Sequence, residues 1–155
     1  MLEPGDPAPP FALADASGKQ VSLKDFAGRH VVLYFYPKDD TPGCTKEACG
    51  FRDAWSELRD LGVAVLGVSG DDAASHAKFA AKYRLPFTLL SDPDHRVMTA
   101  YGAYGPKTMY GRKVVGVIRS TVWIGPDGRI RHHWARVANA AEHPDKVLAA
   151  LREGV

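Results

Sequence analysis

Six residues, Val31-Val-Leu-Tyr-Phe-Tyr36, run without a polar break into Pro37. A strand with one wet face alternates polar and apolar residues, and this run does not alternate. Both of its faces must be covered, as in the middle of a sheet with helices packed on either side. It is also far too short to cross a bilayer, which takes roughly 20 apolar residues. A second run of the same kind, Val63-Ala-Val-Leu-Gly-Val68, follows about one helix later.

The intervening and later segments carry helical spacing. Between 42 and 60, Phe51, Trp55 and Leu58 recur at i, i+4 and i+7 before a stop at Gly62. A second helix is predicted over 72–84, with Phe79 and Tyr83 on one face and Pro86 beyond its end. Phe87–Leu90 reads as a strand, Asp94–Tyr101 as a short helix, and Gly-rich 102–116 as a connection. Ser120–Ile124 and Arg129–Trp134 form a hairpin about Gly125-Pro-Asp-Gly128, and Pro144–Arg152 a closing helix. Near the start, Phe11–Ala14 and Gln20–Leu23 suit a small hairpin about Asp15-Ala-Ser-Gly18. Strands alternating with helices give an α/β fold, a central sheet covered on both faces. At 155 residues, without repeats or a linker, the expectation is one domain spanning 1–155.

Charge and cysteine usage narrow the function classes. The formal charge is +2 and Lys and Arg are scattered, which argues against nucleic acid as a partner. The opening MLEPGDPAPPF is not a secretory signal. Two cysteines do not make a disulfide-stapled secreted domain, so a cytoplasmic setting without a membrane partner is expected.

Both cysteines lie in P-K-D-D-T-P-G-C-T-K-E-A-C-G, residues 37–50. A helix beginning near Thr41-Pro42 puts Cys44 in its first turn, beside unpaired amides and the positive end of the dipole, where a thiolate is stabilised. The Thr41 hydroxyl, one turn back, is within reach of the sulfur or of a bound substrate oxygen. Cys49 lies about 140° around an ideal helix from Cys44, and their Cα atoms roughly 8–9 Å apart, beyond the ~7 Å a disulfide tolerates. A bond between them requires the first turns to unwind, which Gly43 and Gly50 would ease. Lys38, Asp39 and Asp40 read as solvated loop residues. Several readings of the thiols remain open at this point. Free cysteines are often small buried hydrophobes. A zinc site wants about four ligands, and no histidine has ligand spacing to this pair. A C-x-x-C exchange motif is absent, because threonine stands where its first cysteine would be.

The segment P-K-D-D-T-P-G-C resembles the P-x-x-x-T-x-x-C signature of the peroxiredoxins through Pro37, Thr41 and Cys44. The second cysteine five residues on resembles the Q-type subgroup, the bacterioferritin comigratory proteins. Gly5–Phe11 (G-D-x-A-P-x-F), Leu23–Phe26 (L-x-D-F) and Arg119–Gly128 (R-S-T-x-x-I-x-x-x-G) extend the resemblance over nearly the whole chain. It implies a thioredoxin-like fold, with a central mixed sheet flanked by helices and an N-terminal β-hairpin. It also implies reduction of hydrogen peroxide and organic hydroperoxides without metal or other cofactor. Carried over, Cys44 is the peroxidatic cysteine and Cys49 the resolving one. Pro37 shields the thiol, Thr41 orients the peroxide, Arg119 holds the thiolate and Glu47 orients Arg119. The implied reductant is thioredoxin, with glutaredoxin or a small thiol as alternatives. A monomer is implied too, since the family's obligate dimers carry a far C-terminal cysteine that this chain lacks. Two other functions stay open: a one-cysteine peroxidase resolved by an external thiol, and a non-catalytic redox sensor.

Overall fold

A computed structural model describes residues 2–155. Seven strands form one mixed sheet: β1 (Ala12–Asp15), β2 (Gln20–Ser22), β3 (His30–Phe35), β4 (Val63–Ser69), β5 (Thr88–Ser91), β8 (Ser120–Ile124) and β9 (Ile130–Trp134). The spatial order is β2-β1-β5-β4-β3-β8-β9. β3, β4 and β5 are parallel, while β8 pairs antiparallel with both β3 and β9. The N-terminal hairpin β1–β2 joins the sheet through β5, with Ala14 opposite Ser91.

The unbroken run at 31–36 does what its pattern requires. Val31, Leu33 and Phe35 enter one apolar core with Leu66, Met98, Tyr101 and Ile124. Val32, Tyr34 and Tyr36 enter the other with Phe51, Phe79, Phe87 and Val147. The second core is roofed by α1 (Pro42–Asp53), α2 (Trp55–Asp60), α3 (Ala73–Tyr83) and α5 (His143–Gly154). On the opposite face lie α4 (Arg96–Ala100) and residues around it. Cys44 belongs to the second core, so the sheet's central strand and the reactive turn share one layer.

Two expectations need correction. Residues 102–116 are not a plain connection: β6 (Tyr104–Met109) and β7 (Arg112–Val117) pair as a hairpin. Its turn, Tyr110-Gly111, has φ of 52° and 77°, the doubly positive pair of a type I′ turn. Four glycines hid the β-branched Thr108, Val114, Val115 and Val117 from the pattern. This hairpin makes no ladder with the main sheet. The helix expected over 42–60 also breaks in two at Ala54 (φ −88°, ψ 0°). No Pro or Gly marks the break, and the Phe51, Trp55, Leu58 spacing passes straight through it.

Candidate active site

The strand ends at Phe35, a loop covers 37–40, and α1 begins at Pro42 with Thr41 in the N-cap position. Proline at the first helical position costs no hydrogen bond, because that N–H has no partner in any helix. Thr41 does not cap with its side chain; its hydroxyl donates to the Lys38 carbonyl at 2.8 Å. That bond tightens the loop and leaves the oxygen's lone pairs free.

Cys44 is 2% exposed, one turn into α1. Arg119, in the two-residue link between β7 and β8, reaches across from the sheet. Its Nη2 donates to Cys44 Sγ at 3.3 Å and its Nη1 to Glu47 Oε1 at 2.7 Å. Glu47, one turn after Cys44, is wholly buried, and its Oε2 has no hydrogen-bond partner. Burial raises the Glu47 carboxyl to about 7, with Arg119 pulling the other way. For Arg119, burial works against the charge, but Glu47 and Cys44 outweigh it and make the guanidinium more basic. The cluster therefore holds one cation and two groups that compete for it. As Glu47 leans toward its neutral form, more of that positive charge is left to a thiolate at Cys44.

The approach to this cation is tight. A Cβ at Gly43 would lie 3.2 Å from Arg119 Nη2, so a side chain there would crowd the guanidinium by a few tenths of an ångström. A Cβ at Gly50 would meet Pro144 Cγ at 2.7 Å, because α1 rests on the start of α5. Both glycines thus serve close packing, a reason the spacing argument for unwinding did not supply.

The remaining candidates fall in different places. Pro37 is exposed and lines a cleft of about 660 Å³ together with Lys107, Thr108, Lys113, Arg119 and Arg136. Pro37 therefore stands at the mouth of the site. The cleft's lining carries four cations and no carboxylate. Cys49 is not part of this group: it is half-buried and faces a separate groove with Lys46, Asp53, Glu57 and Asp145. Both thiols are free, and α1 is continuous between them.

Sequence reasoning missed three features. Asp39 is buried at 7% exposure and is no solvated loop residue, whereas Asp40 is exposed and pairs with Lys82. His143 is buried, with Nε2 and the Thr121 hydroxyl 2.7 Å apart, and its ring meets Phe51 and Trp134 edge-on. Burial first, then Lys146 and Arg119, lowers it to about 4, so it is neutral at physiological pH. The cleft cations Lys107 and Lys113 ride on the unforeseen hairpin. The alternation K-T-M-Y-G-R-K-V-V about Tyr110-Gly111 was the available signal for it. Among the described residues, no group of three or more His, Cys, Asp or Glu could hold a metal ion, and no helix could cross a membrane.

Glu47 makes a stability prediction. Its carboxyl is raised from 4.5 to about 7, so the folded state is favoured while Glu47 is protonated in both states, below about pH 4.5. That contribution is lost as pH climbs through about 7. Glu47→Gln cannot titrate, so its stability relative to wild type should rise between pH 4.5 and 7, by at most about 3 kcal/mol. Urea unfolding of both proteins at pH 5 and 7.5 measures this. Parallel stabilities at the two pH values would contradict the assignment.

Comparison with known proteins places this geometry. Residues 4–133 match the AhpC/TSA family. Peroxiredoxin Bcp of Escherichia coli (strain K12) is 46% identical over 152 residues, which is 98% of this chain and 97% of that protein. Peroxiredoxin Bcp of Bacillus subtilis (strain 168) is 40% identical, covering 98% and 96%. A mutant of Xylella fastidiosa PrxQ superposes with a TM-score of 0.91 at 35% identity, covering 99% of this chain and 97% of that one. Peroxiredoxin Q of Xanthomonas campestris gives 0.87 at 41% identity, covering 93% and 90%. With a thioredoxin-like mixed sheet, a cysteine at a helix N-terminus and likeness to Bcp and PrxQ proteins along nearly its full length, the chain belongs to the AhpC/TSA family of peroxiredoxins.

Proposed function

We propose that the protein is a thiol peroxidase that reduces hydrogen peroxide and organic hydroperoxides through Cys44. One observation carries the reading: a single guanidinium contacts both the Cys44 sulfur, at 3.3 Å, and the buried Glu47, at 2.7 Å. The Cys44 thiolate attacks the distal peroxide oxygen, an S–O bond forms as O–O breaks, and the leaving oxygen departs as water or alcohol once it takes up a proton. Charge grows on that leaving oxygen, and donors already aimed at the sulfur lower the barrier most when they meet charge only as it develops. Arg119 serves this purpose, with Glu47 holding it in line. Thr41 offers its hydroxyl oxygen to the incoming peroxide, and Pro37 limits water at the mouth. Xanthomonas campestris bacterioferritin comigratory protein is described with alkyl peroxide reduction activity, which supports including organic peroxides.

The product at Cys44 is a sulfenic acid. The Cys49 thiol displaces its hydroxyl as water and forms an intramolecular disulfide. A dithiol, which we take to be thioredoxin, then reduces that bond by exchange and is itself oxidised. The chain 1–155 acts as one domain, as a monomer and in the cytoplasm on this reading. Peroxide-dependent NADPH oxidation, coupled through thioredoxin and thioredoxin reductase, tests it. Wild type should turn over continuously and Cys44→Ser not at all. Oxidation of wild type without steady-state turnover would make the protein a sensor instead.

A further inference from the structure

The loop 37–41 that brings Pro37 and Thr41 to Cys44 is fastened from beneath by a buried polar cluster. Asp39 Oδ1 accepts the Tyr36 hydroxyl at 2.5 Å. Its Oδ2 accepts the Ser75 hydroxyl at 2.8 Å and lies 2.7 Å from His76 Nδ1. The other ring nitrogen, His76 Nε2, lies 3.0 Å from the Leu90 carbonyl oxygen. A carbonyl only accepts, so Nε2 carries hydrogen, and the Nδ1–Oδ2 contact holds one proton shared by the pair. His76 is 0% exposed. The Asp39 N–H donates to Asp71 Oδ2 at 2.8 Å, and Asp71 is fixed in turn by the Ser69 hydroxyl at 2.7 Å. A second, exposed tie lies beside the first: Asp40, in a left-handed conformation (φ 58°), accepts from Lys82 Nζ and the Tyr83 hydroxyl, both at 2.8 Å.

Ser75, His76, Lys82 and Tyr83 all belong to α3. Two consecutive loop carboxylates are thus tied to one helix that has no other part in the site. Buried polar pairs of this kind add little net stability compared with apolar packing, so this one has to be explained by what it orders. Every acceptor of Asp39 is occupied, and a shift of about 1 Å would strain several bonds together in a medium of low dielectric. Reactive geometry is sensitive to displacements of that size.

We infer that Asp39 and His76 are positioning residues for peroxide attack, which clamp loop 37–41 to α3 and set the point where unwinding of α1 begins. The inference rests on the peroxidase reading above. It divides the two chemical steps. Attack on peroxide needs Thr41 and Pro37 in place over Cys44 and therefore needs the clamp. Disulfide formation needs Cys44 to leave that place, and the chain that must melt for it lies after the clamp, from residue 42 on.

Stopped-flow oxidation of the reduced protein by hydrogen peroxide separates sulfenic acid formation from disulfide formation. His76→Gln cannot donate to Asp39 and Leu90 at once, and it should slow the first step at least about tenfold while leaving the second within about threefold. Ser75→Ala removes one donor to Asp39 from a half-buried position and keeps the His76 contact; it should slow the first step alone, by about two- to fivefold. In oxidised wild type, amide-exchange protection should persist at residue 39, whose N–H is held by Asp71, and disappear over 45–50. First-step rates within twofold of wild type in both variants would overturn the inference, as would equal slowing of both steps or loss of protection at 39 on oxidation. Should His76→Gln not fold, Ser75→Ala and the exchange pattern decide. A wild type that peroxide does not oxidise would overturn the peroxidase reading itself, and this inference with it.

Discussion

Arg119→Ala should slow oxidation of Cys44 by peroxide about 10²–10³-fold, the usual cost of removing one donor aimed at developing charge in a water-poor site. Among the described residues, the side chain is the only cation hydrogen-bonded to the sulfur, at 3.3 Å. Its loss also strips the Glu47 carboxyl of the one hydrogen-bond partner it has among the described residues, since Oε2 already has none. An unpaired buried carboxylate would cost about 3–5 kcal/mol, so the group takes up a proton instead. Already raised to about 7 by burial, Glu47 loses the guanidinium that opposed the shift and moves higher still. The variant should therefore remain folded at neutral pH and lose stability more steeply than wild type as pH rises beyond it. Stopped-flow oxidation with circular dichroism as the control for folding measures both effects. A wild-type oxidation rate in the variant would remove Arg119 from the chemistry.

Cys49→Ser should reduce steady-state turnover with thioredoxin to background while the protein still consumes one equivalent of peroxide. Cys44 sulfenic acid then has no internal thiol to meet, and excess peroxide carries it to sulfinic acid, which mass spectrometry detects as two added oxygens. In wild type the disulfide demands a large rearrangement. Both cysteines sit in the continuous helix α1, Cys44 gripped by Arg119 and Cys49 facing a different groove. Closing the distance breaks the Arg119–Cys44 contact and the first turns of α1. It also disturbs the packing of Gly50 on Pro144. Turnover of the variant at the wild-type rate would mean that an external thiol resolves the sulfenic acid.

The parts of this protein legible in its sequence are those where local chemistry and tertiary demand agree. Val31–Tyr36 and Val63–Val68 had to be buried on both faces, and they are. The Thr41-Pro42 helix start and the place of Cys44 within its first turn followed from capping alone. What escaped were features created by distant contacts. Asp39 looks like one more charge in K-D-D-T, and α3 together with Asp71 in the β4–α3 turn, arriving from 30 or more residues away, holds it buried. His143 gave no signal in a stretch rich in Ala, because its burial depends on Phe51, Thr121 and Trp134 converging on it. The break at Ala54 reflects packing too, and nothing in the local residues encodes it.

The β6–β7 hairpin shares no backbone ladder with the seven-stranded sheet, yet its Lys107, Thr108 and Lys113 form a wall of the cleft that leads to Arg119. Its tip is solvent-exposed, with Tyr110 at 98% exposure. Beyond its base, where Tyr104 and Val117 pack into the core, such a module can lengthen, shorten or change charge, since no ladder register has to be kept. The charge of the cleft wall and the environment of the thiol can therefore change independently, one within the hairpin and the other within a helix turn. Exchanging the outer part of the hairpin between relatives would re-charge the approach to Arg119 while leaving Cys44, Glu47 and Arg119 in place.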